Sequence, residues 1–557
     1  MKRVQGCPRP LGMTRTGNRV NFSVAVPEKS SCDLILYSEQ YKNPKRFSMP
    51  YDPLCGEVRC LGIEEAPEDL GYLYEKDGVS YPDPHAKRLV FSDTEEILRC
   101  GLPQTFAWEE DRPLSIPEHQ VIAYSLHVRG FTKHPSSRVR QKGTFAGVRE
   151  KIPYLKDLGI NQIHCMPIYE FQKVQGKKVN YWGYGPGYFF APNHSYAGNE
   201  DAAGELKQMI LDCHRSGIEV ILSFPFSEGI RISEMLHCLE YYRIEYHVDG
   251  FLINPYLLPW EQVASDPLLQ GAKLYRKDET FQNVMRRFLK GDEGMIGSVE
   301  EQLRRHAGSE GAFNYITDHT GFTLQDLVSY EEKHNEANGE KNQDGPDYNY
   351  SWNCGAEGPT RKETVLALRK QQVRNAFALL LLAQGVPCIL SGDEFGNSQK
   401  GNNNVYCQDN ATAWLNWNSL NKGSELYEEV KALIAFRKKW EILHQDRPLL
   451  RADVERTGLP DLSYHGTSAW MEPNDVASRL LGVLYSRKNE NGEQEACYVA
   501  YNMHWLDHII ALPVLPGKKT WYLAVDGEKG VLKRMKVLKN QRELVIKART
   551  IQVLVSR

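Results

Sequence analysis

Val121-Ile122-Ala123-Tyr124-Ser125-Leu126-His127-Val128 is a short, almost unbroken apolar run, the pattern of a strand buried on both faces. A helical run over 148–158 follows it. The pair then recurs, with candidate strands over 161–166, 219–224, 250–254, 313–316 and 386–390 and helical runs over 204–216 and 362–383. Strand alternating with helix over such a length predicts parallel strands joined by crossover helices, and at this size an α/β fold built on a (β/α)8 TIM barrel. Chemistry in such a barrel stands on the loops that follow the strands' C-terminal ends, so those residues are the ones to read.

On both sides of the barrel the texture changes to short strands separated by turns: 20–26, 32–37, 56–61 and 71–74 before it, and 479–486, 496–502, 508–512, 520–524, 543–545 and 550–555 after it. The expected organisation is an N-terminal β-sandwich over 1–113, a barrel over 114–455 and a C-terminal β-sandwich over 456–557. A chain of 557 residues is too long for one core. The polar stretch 331–360, rich in Asn and Gly, is a loop of a length that is usually functional or disordered.

Composition excludes several classes of partner. Lys plus Arg number 68 against 71 Asp plus Glu, a net charge of −3, so no field exists to draw in nucleic acid or an anionic membrane. No segment approaches the ~20 apolar residues that span a bilayer, and no apolar run follows Lys2, Arg3 and Arg9; cytoplasmic residence is expected. The 12 cysteines are scattered, without C-x-x-C spacing, and read as buried thiols in a reducing compartment. No ligand cluster stands out, and neither a metal nor a cofactor is expected.

Tyr124-Ser125-Leu126-His127-Val128-Arg129-Gly130-Phe131-Thr132 resembles the first-strand signature of isoamylases and glycogen-debranching enzymes, a branch of the α-amylase glycoside hydrolase family (family 13). Further matches follow in order: Asn180-Tyr181-Trp182-Gly183-Tyr184, His334-Asn335-Glu336-Ala337-Asn338-Gly339-Glu340, Gly392-Asp393-Glu394-Phe395-Gly396, Gly401-Asn402-Asn403-Asn404 and Trp414-Leu415-Asn416-Trp417. Arg9-Pro10-Leu11-Gly12 resembles the start of the starch-binding-like sandwich (similar to carbohydrate-binding module family 48) that precedes such barrels, and Ser463-Tyr464-His465-Gly466 the C-terminal sandwich. The resemblance covers nearly the whole chain. It implies cleavage of α-1,6 branch points in glycogen or related glucans by the retaining mechanism, which sets two carboxyl groups ~5–5.5 Å apart. A third carboxylate grips the sugar hydroxyls.

Against that pattern the catalytic positions are degenerate. The fourth-strand pattern Gly-Phe-Arg-Phe-Asp, ending in the nucleophile, is here Gly250-Phe251-Leu252-Ile253-Asn254, and an amide cannot form the glycosyl ester. Leu252 also replaces the arginine that keeps the aspartate ionised. The third strand, Leu222-Ser223-Phe224-Pro225-Phe226-Ser227-Glu228, lacks the family's Asp and Asn-His. The seventh, Ile316-Thr317-Asp318-His319-Thr320-Gly321-Phe322-Thr323, keeps His319 but has Thr320 for the stabilising aspartate. The general acid belongs in an Ala-Glu-Pro-Trp-Asp segment after a Lys-Leu pair. Here Lys273-Leu274 leads through Tyr275-Arg276 toward a later helix, so the glutamate and its loop read as deleted. The short interval from Asn254 to Asn314 predicts a barrel locally reduced around strands 5 and 6.

No catalytic set is therefore intact, and hydrolysis near background is expected. The expected partner is α-glucan or maltooligosaccharide, held by Tyr181, Trp182, Tyr184 and His319, because aromatic stacking on sugar needs no carboxylate. Two alternatives remain open. One is a scaffold or regulatory subunit of an active debranching homologue. The other is an active α-1,6-glucosidase with relocated carboxylates, Asp318 and Glu228 first, then Asp278, Glu279 and Glu261 near the deletion; Asp249 begins its strand and so faces the barrel's other end.

Overall fold

The barrel wall is a sheet of six parallel strands: β1 (Ala123–Leu126), β2 (Gln162–Cys165), β3 (Glu219–Phe224), β4 (Gly250–Ile253), β5 (Lys273–Tyr275) and β6 (Cys388–Leu390). Their order is β5-β4-β3-β2-β1-β6. In this computed structural model, which describes residues 1–308, 311–489 and 491–557, residues 312–314 close the circle. Ala312 bridges Arg276 beyond β5, and Asn314 bridges Pro387 before β6, both in parallel. The reduction thus lies where the short interval put it: among the described residues a single stave stands between β5 and β6. Large side chains fill the interior beside it, with the buried rings of Tyr275 and Phe313 edge-on at 5.9 Å.

The floor of the barrel is polar and paired. Glu219 accepts from Lys273 Nζ at 2.6 Å, Gln162 Nε2 at 2.8 Å and the Ile116 N–H at 2.8 Å, so a carboxylate almost without exposure keeps its partners. Asp249 also lies at this end, accepting from the Val220 N–H and His214. Outside pack the helices, including α1 (Ala202–Arg215), α2 (Glu279–Lys290) and α3 (Glu363–Leu381). The helical run expected over 148–158 is instead two helices, Phe145–Arg149 and Ile152–Leu158. Pro153 opens the second in its first turn, where its missing N–H costs nothing.

The N-terminal strands form a four-stranded sheet facing a six-stranded one. Val20, Phe22 and Val24 alternate inward to meet Leu34, Leu36, Tyr72 and Tyr74 in a core of its own. At the C-terminus a six-stranded sheet opposes the pair His508–Ala511 and Glu543–Ile546. Its Tyr485, Val499 and Val553 share one continuous apolar cluster with Leu380 and Leu443 of the barrel. Among the described residues no helix is long and apolar enough to cross a membrane.

Candidate functional site

The loops after β1, β4 and β5, the loop after stave 312–314, and residues 180–184 and 401–406 meet at the mouth of the barrel. Asn254 follows β4 directly and is exposed; its Oδ1 accepts from the Tyr256 N–H at 3.0 Å. The amide thus caps its own turn.

The end of β5 corrects half of the expected deletion: among the described residues the loop is absent, but the strand end that should carry the glutamate is occupied. The strand that begins with Lys273 is present, and Lys277 stands just beyond it, before Asp278 caps α2. The strand end from which the resemblance draws a glutamate therefore carries an amine. Lys277 Nζ donates to Asp318 Oδ2 and lies 3.4 Å from both ring nitrogens of His319. The other Asp318 oxygen accepts from His319 Nδ1 at 2.9 Å, and Thr320 Oγ1 donates to Asp318 Oδ2 at 3.1 Å. With Nδ1 protonated, His319 Nε2 accepts from the Tyr184 hydroxyl at 2.6 Å.

The charges follow from these contacts. Burial works against the Asp318 carboxylate, yet His319 and Lys277 hold it well below the usual carboxylate range. Burial, reinforced by the Lys277 cation, lowers His319 against the pull of Asp318. Burial works against the Lys277 cation, but Asp318 and Tyr184 together raise its pKa. The cluster is an ammonium–carboxylate pair with a neutral imidazole bonded to a tyrosine. Motif matching missed Lys277 because the residues after it depart from the family pattern; counting onward from Lys273 along the strand would have found it.

The expected sugar-binding aromatics are packed on one another. Tyr181 stacks on His127 at 4.1 Å, and the His127 Nε2–H donates to the Tyr181 carbonyl at 2.8 Å. A side chain at Gly130 would put its Cβ 2.0 Å from the Tyr181 hydroxyl, which explains the glycine there. Trp182, 7% exposed, meets His319 edge-on at 5.0 Å and is flanked by Tyr184 and Tyr406. Beneath Tyr181, Trp182 and His319 lies a cavity of about 40 Å³, room for a water but not for a pyranose ring.

The remaining carboxylates are scattered. Glu228 is exposed beyond β3, and Glu261 and Glu279 are exposed on helices. Asp278 accepts from Arg305 at 2.8 Å and from the Thr280 N–H at 3.0 Å; against the effect of burial, Thr280 and Arg305 bring its pKa down to about 2. None meets Asp318, whose hydrogen bonds go to Lys277, His319 and Thr320.

The His334–Glu340 motif and Gly401-Asn402-Asn403-Asn404 explain each other. Asn335 Nδ2 donates to Asn403 Oδ1 at 2.8 Å, and the Asn403 N–H returns to Asn335 Oδ1 at 2.9 Å. Asn402 Nδ2 donates to Asn338 Oδ1 at 3.0 Å. The Gly321 N–H then donates to the Asn403 carbonyl at 2.9 Å, so the zipped loops brace the segment that carries Asp318 and His319.

Comparison with known proteins agrees with this architecture. Residues 117–226 match the family described as alpha amylase, catalytic domain. The chain is 30% identical to isoamylase 1, chloroplastic, of Arabidopsis thaliana, over 94% of this chain and 85% of that protein. It is 32% identical to a glycogen debranching enzyme of Erwinia tasmaniensis, over 79% and 85%. Among solved structures, pullulanase type I from Bacillus subtilis complexed with maltose superposes with a TM-score of 0.75 at 20% identity, covering 98% of this chain and 85% of that one.

Proposed function

The chain belongs to the isoamylase and glycogen-debranching family, and from that premise we propose that it is an inactive, cytoplasmic, glucan-binding or regulatory homologue that holds α-glucan without hydrolysing it. What supports this reading is chemical: at the positions where the resemblance puts the two carboxyl groups of the retaining mechanism and the third that grips the sugar, the chain carries Asn254, Lys277 and Thr320. An amide offers no anionic nucleophile, and an ammonium bonded to a carboxylate cannot cycle between acid and base as a glutamate does. Asp318 does not supply the acid, because a carboxyl held ionised by Lys277 has no proton to give a leaving group. Losing one such group costs several kcal/mol of transition-state stabilisation, each ~1.4 kcal/mol a factor of ten in rate, and the rest of the set does not compensate.

The test is reducing-sugar release from glycogen and pullulan by the purified chain, run beside its retention on immobilised glucan. Retention without release is expected. Release above the buffer rate, abolished by Asp318→Asn or Glu228→Gln, would mean relocated acids and end the proposal, as would a chain that fails to be retained.

A further inference from the structure

Of the chain's 12 cysteines, eight are buried and four reach the surface: Cys7, Cys55, Cys60 and Cys407. Three of these four stand together on the N-terminal sandwich. A buried thiol is packing, but a thiol that reaches the surface is open to chemistry.

The strand register brings Cys7 and Cys60 to one face. In the strand Val58–Glu64, Cys60 lies directly opposite Ser23 of the strand Arg19–Ala25, and opposite residues project from the same side of a sheet. Val20, Phe22 and Val24 point into the core, so Asn21, Ser23 and Cys60 take the other side. The chain leaving the edge strand Lys2–Gln5 crosses that side. A Cβ on Gly6 would stand 2.5 Å from the Cys60 carbonyl carbon, which explains the glycine at the start of the crossing. Asn21 then clasps Cys7: its Oδ1 accepts from the Cys7 N–H at 2.7 Å, and its Nδ2 donates to the Cys7 carbonyl at 2.9 Å. Ser23 Oγ donates to the Pro8 carbonyl at 2.8 Å.

Cys55 arrives by a turn. Asp52 caps the single turn Pro53–Cys55, and Gly56, at φ 60°, swings the chain into the strand that carries Cys60. The Cys55 and Cys60 thiols are hydrogen-bonded to each other, with Cys7 near both, and Cys55 Sγ donates to Asp52 Oδ2 at 3.7 Å. Burial raises the Cys60 thiol, and burial followed by Asp52 raises that of Cys55, so at neutral pH the two sulfurs meet protonated and without repulsion. Among the described residues no group of His, Cys, Asp or Glu is arranged to hold a metal ion. The chemistry open to two thiols in contact is with each other.

We infer that Cys55 and Cys60 form a reversible oxidation site, closed to a disulfide by a peroxide and reopened by a dithiol. The Cys55 thiolate attacks a peroxide oxygen; the O–O bond breaks, leaving a sulfenic acid and hydroxide. The Cys60 thiolate then attacks the Cys55 sulfur, the S–S bond forms as the S–O bond breaks, and the second oxygen departs as water. Two thiols and one hydrogen peroxide thus give one disulfide and two waters. In a reducing compartment such a bond is transient, and it forms when oxidant rises. The site lies on the N-terminal sandwich and does not depend on the glucan-binding reading.

The experiment is treatment of the full chain with hydrogen peroxide, followed by alkylation and tryptic mapping by mass spectrometry. Arg59 stands between Cys55 and Cys60, and Arg15 and Arg46 between Cys7 and Cys55, so each thiol falls in its own peptide. Cys55 and Cys60 are expected to lose alkylation together and to appear as one linked pair, released by dithiothreitol, while Cys7 stays alkylatable. Because the thiolate is the attacking form, the link should form several-fold faster at pH 8 than at pH 7. Cys60→Ser, with circular dichroism to check folding, should abolish the link, and Cys407→Ser should leave it. A link that runs to Cys7 or between two chains, Cys55 and Cys60 recovered as separate sulfinic acids, or both still alkylatable would overturn the assignment.

Discussion

An amine at position 277 does two things that a carboxyl group there could not: it neutralises Asp318 and it keeps His319 uncharged. In Lys277→Met the imidazole loses the neighbouring cation and retains the neighbouring carboxylate, so its pKa should move upward; NMR titration of the ring protons would register this, and a downward or absent shift would contradict the assigned network. The Asn254→Asp substitution alone should leave hydrolysis of pullulan at the buffer rate. It supplies a nucleophile but no proton donor, and both half-reactions need the second group. Reducing ends released by that variant would show an acid elsewhere in the mouth. Asn254 and Thr320 were legible in the sequence because their flanking motifs survive. Lys277 was missed because the residues after it depart from the family pattern, although counting onward from Lys273 reaches it, and the pairing of β5 with β4 places the strand that ends just before it. Nor could the string say that Tyr181 stacks on His127 and that Trp182 packs edge-on against His319, both out of the solvent.

At the scale of elements, the asparagines of the long polar loop matter more than its length suggested. Asn403 is fully buried and donates to the Pro346 carbonyl at 2.9 Å and to Asn349 Oδ1 at 3.0 Å while accepting from Asn335. Asn403→Ala strands these partners without water, at roughly 1–3 kcal/mol. The urea midpoint should fall, and amide exchange should quicken in 334–349 and around Gly321 while the barrel strands stay protected; uniform exchange across the chain would contradict the zipper. The sequence announced the long strands and helices through their periodicity, and stave 312–314 as the candidate strand over 313–316, but not how little of it would pair. Two isolated bridges hold that stave, fewer than the apolar run over 313–316 suggested. The short edge strand Lys2–Gln5 and the strand Gly530–Val537, largely exposed, escaped altogether: without a buried face they carry no pattern.

For the molecule as a whole, two sets of buried titratable groups oppose each other as pH falls. Burial depresses His164 and His444 to about 3 and His127 and His465 to about 4. The unfolded chain takes up those protons first, so their contribution to stability is lost on acidification below ~6.5. Asp393 has the reverse sign. Burial raises it to about 7 despite the hydrogen bonds from Thr317 and the Leu324 N–H, so the folded state protonates first. Its contribution is complete below the unfolded value of ~3.9 and is lost as pH rises to about 7. Asp393→Asn keeps an oxygen for Thr317 and Leu324 but removes this titration, leaving the histidines less opposed. Relative to the unsubstituted chain, the variant should be favoured at pH 8 and lose that advantage by about 1.4 kcal/mol for each pH unit between 7 and 4. Urea unfolding of both chains at several pH values reads the difference directly; parallel profiles would mean that Asp393 is ionised in the fold across this range, paired with a cation that its contacts with Thr317 and Leu324 do not supply.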